Sequence, residues 1–200
     1  MSSNALPPVA VIIRHTCADF GRWKAAFDAD EPHRKAAGMV GHHINRSLDN
    51  PNDLSLYIAA TDLAKAQAFA SSPRLKETMQ AAGITSAPVV TWMTPVSEHL
   101  VWDRELPAML VTHTVADFDA WLVGYGHAEG ARQAGGIIGH AVNRSVEHPN
   151  TAIIYHQAES QEALKAFASS PDLKAAMQKA GVTSAPDFHF VTGGWGKMYH

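Results

Sequence analysis

The property that most constrains this chain is that its sequence is written twice. His15-Thr16-Cys17-Ala18-Asp19-Phe20 returns as His113-Thr114-Val115-Ala116-Asp117-Phe118. Gly41-His42-His43-Ile44-Asn45-Arg46-Ser47 returns as Gly139-His140-Ala141-Val142-Asn143-Arg144-Ser145. Phe69-Ala70-Ser71-Ser72-Pro73 and Thr85-Ser86-Ala87-Pro88 return as Phe167-Ala168-Ser169-Ser170-Pro171 and Thr183-Ser184-Ala185-Pro186. Each pair is 98 positions apart with no insertion, and about two in five aligned residues are identical. Two copies are too few for a solenoid, which needs roughly three or more repeats to bury a continuous core. The expectation is two like modules over 9–94 and 107–192, a linker over 95–106 and a tail over 193–200.

Within a copy the elements follow from side-chain pattern. Val9 to Thr16 is an apolar, β-branched run and reads as a strand. Asp19 stands where a carboxylate can take the free amides of a first helical turn. Phe20, Trp23, Ala26 and Phe27 follow at helical spacing, and Gly38 ends the helix. Met39 to Ser47 and Leu54 to Ala60 read as a hairpin around Asp49-Asn50-Pro51-Asn52. Asp62 opens a second helix, and Ser72-Pro73 caps a third that stops at Gly83. Val89 to Met93 is a fourth strand, so the order is β-α-β-β-α-β, the ferredoxin-like arrangement. Such a module leaves one sheet face bare, and a second sheet is the usual cover.

Composition excludes several classes. A net charge of −3 with 18% charged residues offers no basic stripe to a phosphate backbone, so nucleic acid is not an expected partner. No apolar run approaches the roughly 20 residues that cross a bilayer as a helix. The start, Met1-Ser2-Ser3-Asn4, lacks the charged head of a secretory signal, and with one cysteine the expected setting is cytoplasmic. Cys17 reads as a small buried hydrophobe. No glycine-rich phosphate loop precedes a helix, so no nucleotide cofactor is expected. The 12 histidines are the compositional oddity.

The strand ending in His15-Thr16, then Asp19-Phe20 and Trp23, resembles members of the dimeric α/β-barrel superfamily. So do the Asn45-Arg46 strand, the Asp49-Asn50-Pro51-Asn52 loop and the run Ser72-Pro73, Leu75-Lys76, Met79-Gln80, Ala82-Gly83. In particular they resemble the small proteins grouped with antibiotic biosynthesis monooxygenases. The resemblance implies an α+β fold in which two tandem ferredoxin-like modules pack sheet to sheet as an intramolecular dimeric α/β barrel. Relatives are usually single modules that pair, so this chain looks like such a dimer made covalent, with further oligomerisation left open. The superfamily holds cofactor-free quinone-forming monooxygenases, polyketide cyclases, haem-binding proteins and isomerases, so fold alone does not select among them.

In that superfamily the pocket lies between a sheet and its own helices. Strand alternation puts Val11, Ile13 and His15 on one face, with Val40, His42, Ile44 and Arg46. The second copy repeats this with Met109, Val111, His113 and with Ile138, His140, Val142, Arg144. His42, His140, His15 and His113 are therefore the candidate bases, since imidazole moves a proton near neutral pH. The competing reading is that each satisfies a backbone carbonyl or the cap at Asp19 or Asp117. Trp23 and Trp121 are candidate pocket walls, and Arg46, Arg144, Asn45 and Asn143 candidate oxyanion partners. Tyr57 and Tyr155 complete the set implied by the quinone-forming relatives, although Asn45, Asn143 and the tyrosines fall on the opposite strand face.

The expected function is a cofactor-independent, monooxygenase-like enzyme acting on a small aromatic or polyketide-like molecule, with histidine as general base. A cyclase, lyase or isomerase using the same parts is the alternative, and a non-turnover binding protein for a hydrophobic molecule or a metal is another. No metal or organic cofactor is expected: His42 and His43 point to opposite faces, and no His-Glu-x-x-His occurs. A site from His15, His33 and His42, or haem on a histidine, is the exception to test. The tail over 193–200 is expected to be loose, or to lie over a pocket mouth.

Overall fold

The computed structural model describes residues 5–199. The reading of Met1-Ser2-Ser3-Asn4 lies outside the described residues. Two compact units are present: one runs to Trp92 and takes in the segment from Gly194, and the other is Met93–Gly193.

In the first unit β1 (Val9–Thr16) leads to α1 (Phe20–Ala29) and α2 (Glu31–Ala36), then β2 (Met39–Arg46) and β3 (Asp53–Ala60). After α3 (Leu63–Ala70) and α4 (Pro73–Ala81) comes β4 (Val89–His99). The caps are where the sequence puts them. Asp19 Oδ1 accepts from Arg22 N at 2.7 Å, Asp62 Oδ1 from Lys65 N at 2.8 Å, and Ser72 Oγ from Leu75 N at 3.2 Å. The single helix expected up to Gly38 is divided at Asp30, and the second unit divides at the matching Ala128. Gly38 then turns the chain with φ +80°, a conformation that a Cβ disfavours.

The second unit repeats the plan with β5 (Ala108–Thr114), α5 (Phe118–His127), α6 (Glu129–Ala134), β6 (Ile137–Ser145) and β7 (Thr151–Ala158). It continues through α7 (Gln161–Ala168), α8 (Pro171–Lys179) and β8 (Asp187–Val191). Strand order is β4-β1-β3-β2 in the first unit and β8-β5-β7-β6 in the second, the ferredoxin-like order in both. Each has its own core between helices and sheet, around Trp23, Ile44, Leu54 and Ile58 in one and Phe118, Trp121, Val142 and Ile154 in the other.

Two expectations need correction. The complete hydrogen-bonding order, β8-β5-β7-β6-β4-β1-β3-β2-β9, is linear, so backbone pairing does not close the expected barrel. Nor is the tail loose: Trp195–Met198 forms β9, antiparallel to β2 with Ile44 opposite Trp195 and His42 opposite Lys197. The linker behaves alike, since β4 continues through it to His99 and pairs with β6, Val142 opposite Ser97 and His140 opposite His99. These two edges are again 98 positions apart, so the repeat reaches further in space than sequence identity shows. Entry of β9 demands glycine, because a Cβ on Gly194 would stand 2.3 Å from the Ile44 carbonyl oxygen.

Candidate functional site

Between the sheet and helices α5 and α8, the second unit encloses a cavity of about 520 Å³. The first unit keeps the equivalent space between its sheet and α1 and α4, at about 90 Å³. Small-molecule sites occupy roughly 300–1,000 Å³, a range that takes in the second unit's cavity and leaves out the first unit's. The walls explain the difference position by position. Ile13, Ala26 and Thr78 in the first unit become Val111, Gly124 and Ala176 in the second. Two ties that hold α1 to α4 also disappear. Arg22 Nη2 donates to the Ala81 carbonyl at 2.7 Å, and Arg74 Nη1 donates to Asp30 Oδ1 at 2.6 Å. Their counterparts are Ala120, Asp172 and Ala128, which make neither bond.

His113 borders the large cavity and His15 the small one. Each is about 5% exposed, and neither has a hydrogen-bond partner for either ring nitrogen among the described residues. The capping role considered for them is therefore not what these imidazoles do; each lies against its tryptophan, Trp23 or Trp121, at 5.5 Å between ring centres. Burial lowers both to a pKa of about 4, so both are neutral at neutral pH.

His42 and His140 do not border either cavity. His42 Nδ1 is 2.8 Å from the Tyr199 hydroxyl, and its ring meets the edge of Phe27 at 4.9 Å. That hydroxyl also accepts from Arg34 Nε at 2.8 Å, so β9 is fastened to the buried side of the first unit. His140 has the His99 ring at 5.1 Å and Glu129 Oε2 at 3.7 Å. Burial, reinforced by Arg34 or Arg132, lowers both to about 4.

The other expected residues are placed away from the cavities. Asn143 Nδ2 donates to the Ile153 carbonyl at 3.3 Å, and Asn45 is buried at the matching position. Tyr57 and Tyr155 are half-buried on that same strand face. Arg46 Nε donates to the Pro51 carbonyl and Arg144 Nε to the Pro149 carbonyl, each at 2.6 Å, bracing the two hairpin loops. Their guanidinium groups lie over Phe20 and Phe118. Trp23 and Trp121, by contrast, do form cavity walls. Cys17 is buried and bridged to Ile84, and burial pushes its thiol up. Among the described residues no three His, Cys, Asp or Glu side chains gather as a metal site.

Three wall residues of the second unit, Tyr125, His156 and Arg132, were not among the expected site residues. Tyr125 and His156 replace Phe27 and Ile58 and share a hydrogen bond of 3.0 Å between the Tyr125 hydroxyl and His156 Nε2. Desolvation, with His140, Arg132 and His113 nearby, lowers His156 to about 3, and burial raises Tyr125. Arg132 lies 3.6 Å over the Tyr125 ring, donates through Nη2 to Glu129 at 2.7 Å, and leaves Nε without a partner among the described residues. Strand alternation would have found His156, two positions from the cavity-facing Ile154. Arg132 carried a signal too, since Arg34 stands at the same place in the first copy.

No protein-family model matches the chain, and none of the curated proteins does. Solved structures do resemble it. An anthrone oxidase-like protein aligns with TM-score 0.70 at 13% identity, covering 99% of this chain and 95% of its own. A ferredoxin-fold protein related to antibiotic biosynthesis monooxygenases, from Listeria monocytogenes 4b F2365, aligns with TM-score 0.52 at 9% identity over 92% and 95%. A mutant chlorite dismutase from Candidatus Nitrospira defluvii aligns with TM-score 0.59 at 13% identity over 94% and 92%. At such identities the likeness establishes the ferredoxin-like fold alone, and the differing names attach to one architecture.

Proposed function

We propose that the second unit is a cofactor-independent, monooxygenase-like active site for a small, mostly apolar aromatic molecule, and that the first unit is its filled counterpart. The observation that carries this is the sixfold difference between two cavities built by one repeat, about 520 against 90 Å³. Trp121, Met109, Val111 and Ile154 supply an apolar wall that favours a ring system. His113 is the proposed base: neutral in the empty site, it can take an acidic proton from a ring ketone or phenol. The resulting imidazolium and ring anion neutralise each other in a medium of low polarity, and Arg132 adds a fixed positive charge beside them. The electron-rich anion then reacts with dioxygen. A ring CH2 becomes C=O, one oxygen atom enters the product and the other leaves as water.

The experiment is dioxygen uptake with anthrone, a ring ketone with an acidic CH2, compared among the parent, His113→Ala and His15→Ala. We expect one dioxygen consumed per anthrone oxidised, a loss of about 10²–10⁴-fold for His113→Ala and near-parent rates for His15→Ala. Binding of anthrone with no dioxygen uptake would leave a binding protein; equal loss in both variants would reject the assignment to the second unit.

A further inference from the structure

From the Tyr125–His156 pair, we infer that the Tyr125 hydroxyl is a fixed donor for a carbonyl or enolate oxygen of the ligand. The cavity thus selects oxygenated rings over hydrocarbons of the same shape. This rests on the binding reading above and adds the residue that sets its chemistry. The pair arises from two replacements on separate elements, Phe27 by Tyr125 on α5 and Ile58 by His156 on β7, which meet in one bond of 3.0 Å. Introducing imidazole at a position only 5% exposed is costly unless its polar atoms are satisfied. One of them is not: His156 Nδ1 has no partner among the described residues.

That orphan sets the direction of the bond. If Tyr125 donated to Nε2, the proton of neutral His156 would sit on Nδ1 as a buried N–H with nothing to meet. Orphaned N–H groups are rarer in proteins than orphaned acceptors. With the proton on Nε2, His156 donates to the Tyr125 oxygen, Nδ1 is merely a lone pair, and the Tyr125 O–H is released toward the cavity that both residues border. Arg132 over the Tyr125 ring polarises the donor in the sense that favours an anionic acceptor. In the first unit the same positions are hydrocarbon, so no such donor exists there.

The test titrates the full chain with two probes of nearly equal shape, tetralin and 1-tetralone, in the parent, Tyr125→Phe and His156→Ile. Both variants carry the residue that the first unit tolerates, and thermal melting checks their folding. We expect the parent to prefer 1-tetralone by about 5–10-fold, the worth of one hydrogen bond, and Tyr125→Phe to bind the two probes alike with tetralin affinity kept. His156→Ile, where the Tyr125 hydroxyl is no longer fixed, should show a smaller preference than the parent. Nitrogen-15 shifts of His156 should report a proton on Nε2. If the parent binds both probes equally, or keeps its preference in Tyr125→Phe, the donor assignment is overturned while the cavity reading stands. Failure of both probes to bind would remove the cavity reading and this inference together.

Discussion

Residues 98 positions apart build the same wall in both units, yet one wall encloses about 520 Å³ and the other about 90 Å³. The chain did not need a new fold to make that difference. It trimmed Ile13, Ala26 and Thr78 to Val111, Gly124 and Ala176, dropped the Arg22–Ala81 and Arg74–Asp30 ties, and exchanged Phe27 and Ile58 for Tyr125 and His156. In the first unit, β9 also brings the Tyr199 hydroxyl onto His42 and Arg34, whereas Val101 holds the equivalent place in the second. One copy spends its side chains on packing and the other on space with a polar edge. A fused duplication permits this, because each half no longer has to serve both ends.

The contrast can be broken or sharpened by substitution. The largest effect is expected from Trp23→Ala, which should cost about 3–5 kcal/mol by denaturant unfolding because Trp23 is 3% exposed in a filled core. Trp121→Ala should sit at the low end of that range, since its ring already borders open volume; equal costs would blur the distinction. Next, grafting first-unit residues into the second, Val111→Ile with Gly124→Ala and Ala176→Thr, should weaken 1-tetralone binding by about 100-fold through lost volume. A Cβ at Gly124 would meet Ala180 at an ordinary 3.8 Å, so the graft should still fold. Tyr199→Phe removes a hydroxyl shared by His42 and Arg34 and should cost the first unit about 1–2 kcal/mol by hydrogen exchange, leaving second-unit amides unchanged.

Acid gives the most graded contrast. His156 is lowered in the folded chain to about 3, against an unfolded value near 6.5. Between those values the unfolded chain binds the extra proton, so stability is full above about pH 6.5 and is lost as pH falls toward 3. His156→Ile should therefore flatten the acid limb of a urea-unfolding series over that window. A limb as steep as the parent's would mean that His156 does not contribute to it, the remaining slope coming from His15, His42, His113 and His140.

Much of this was legible beforehand. The repeat, the caps at Asp19, Asp62 and Ser72, and the helix-facing parity of Val11, Ile13 and His15 follow from spacing and hydrogen-bonding chemistry, which act locally. His113 and Trp121 lie on the cavity side for that reason. The strand role of 195–198 was not legible, because Gly193-Gly194-Trp195-Gly196 shares no identity with Pro95-Val96-Ser97-Glu98, and edge pairing needs only backbone. His42 and His140 stand beside His113 as candidate bases although they border neither cavity, because parity says which face a residue is on, not how far along the strand the cavity extends. The cavity itself was hidden, since single trimmed methyl groups look conservative in a sequence and only add up in space.

The most direct measurement is a crystal structure of the chain soaked with 6-bromo-1-tetralone, with bromine located by its anomalous signal. The account predicts one strong peak beside Trp121 and Tyr125 and none beside Trp23 and Phe27. A peak in the first unit, or equal peaks in both, would contradict it.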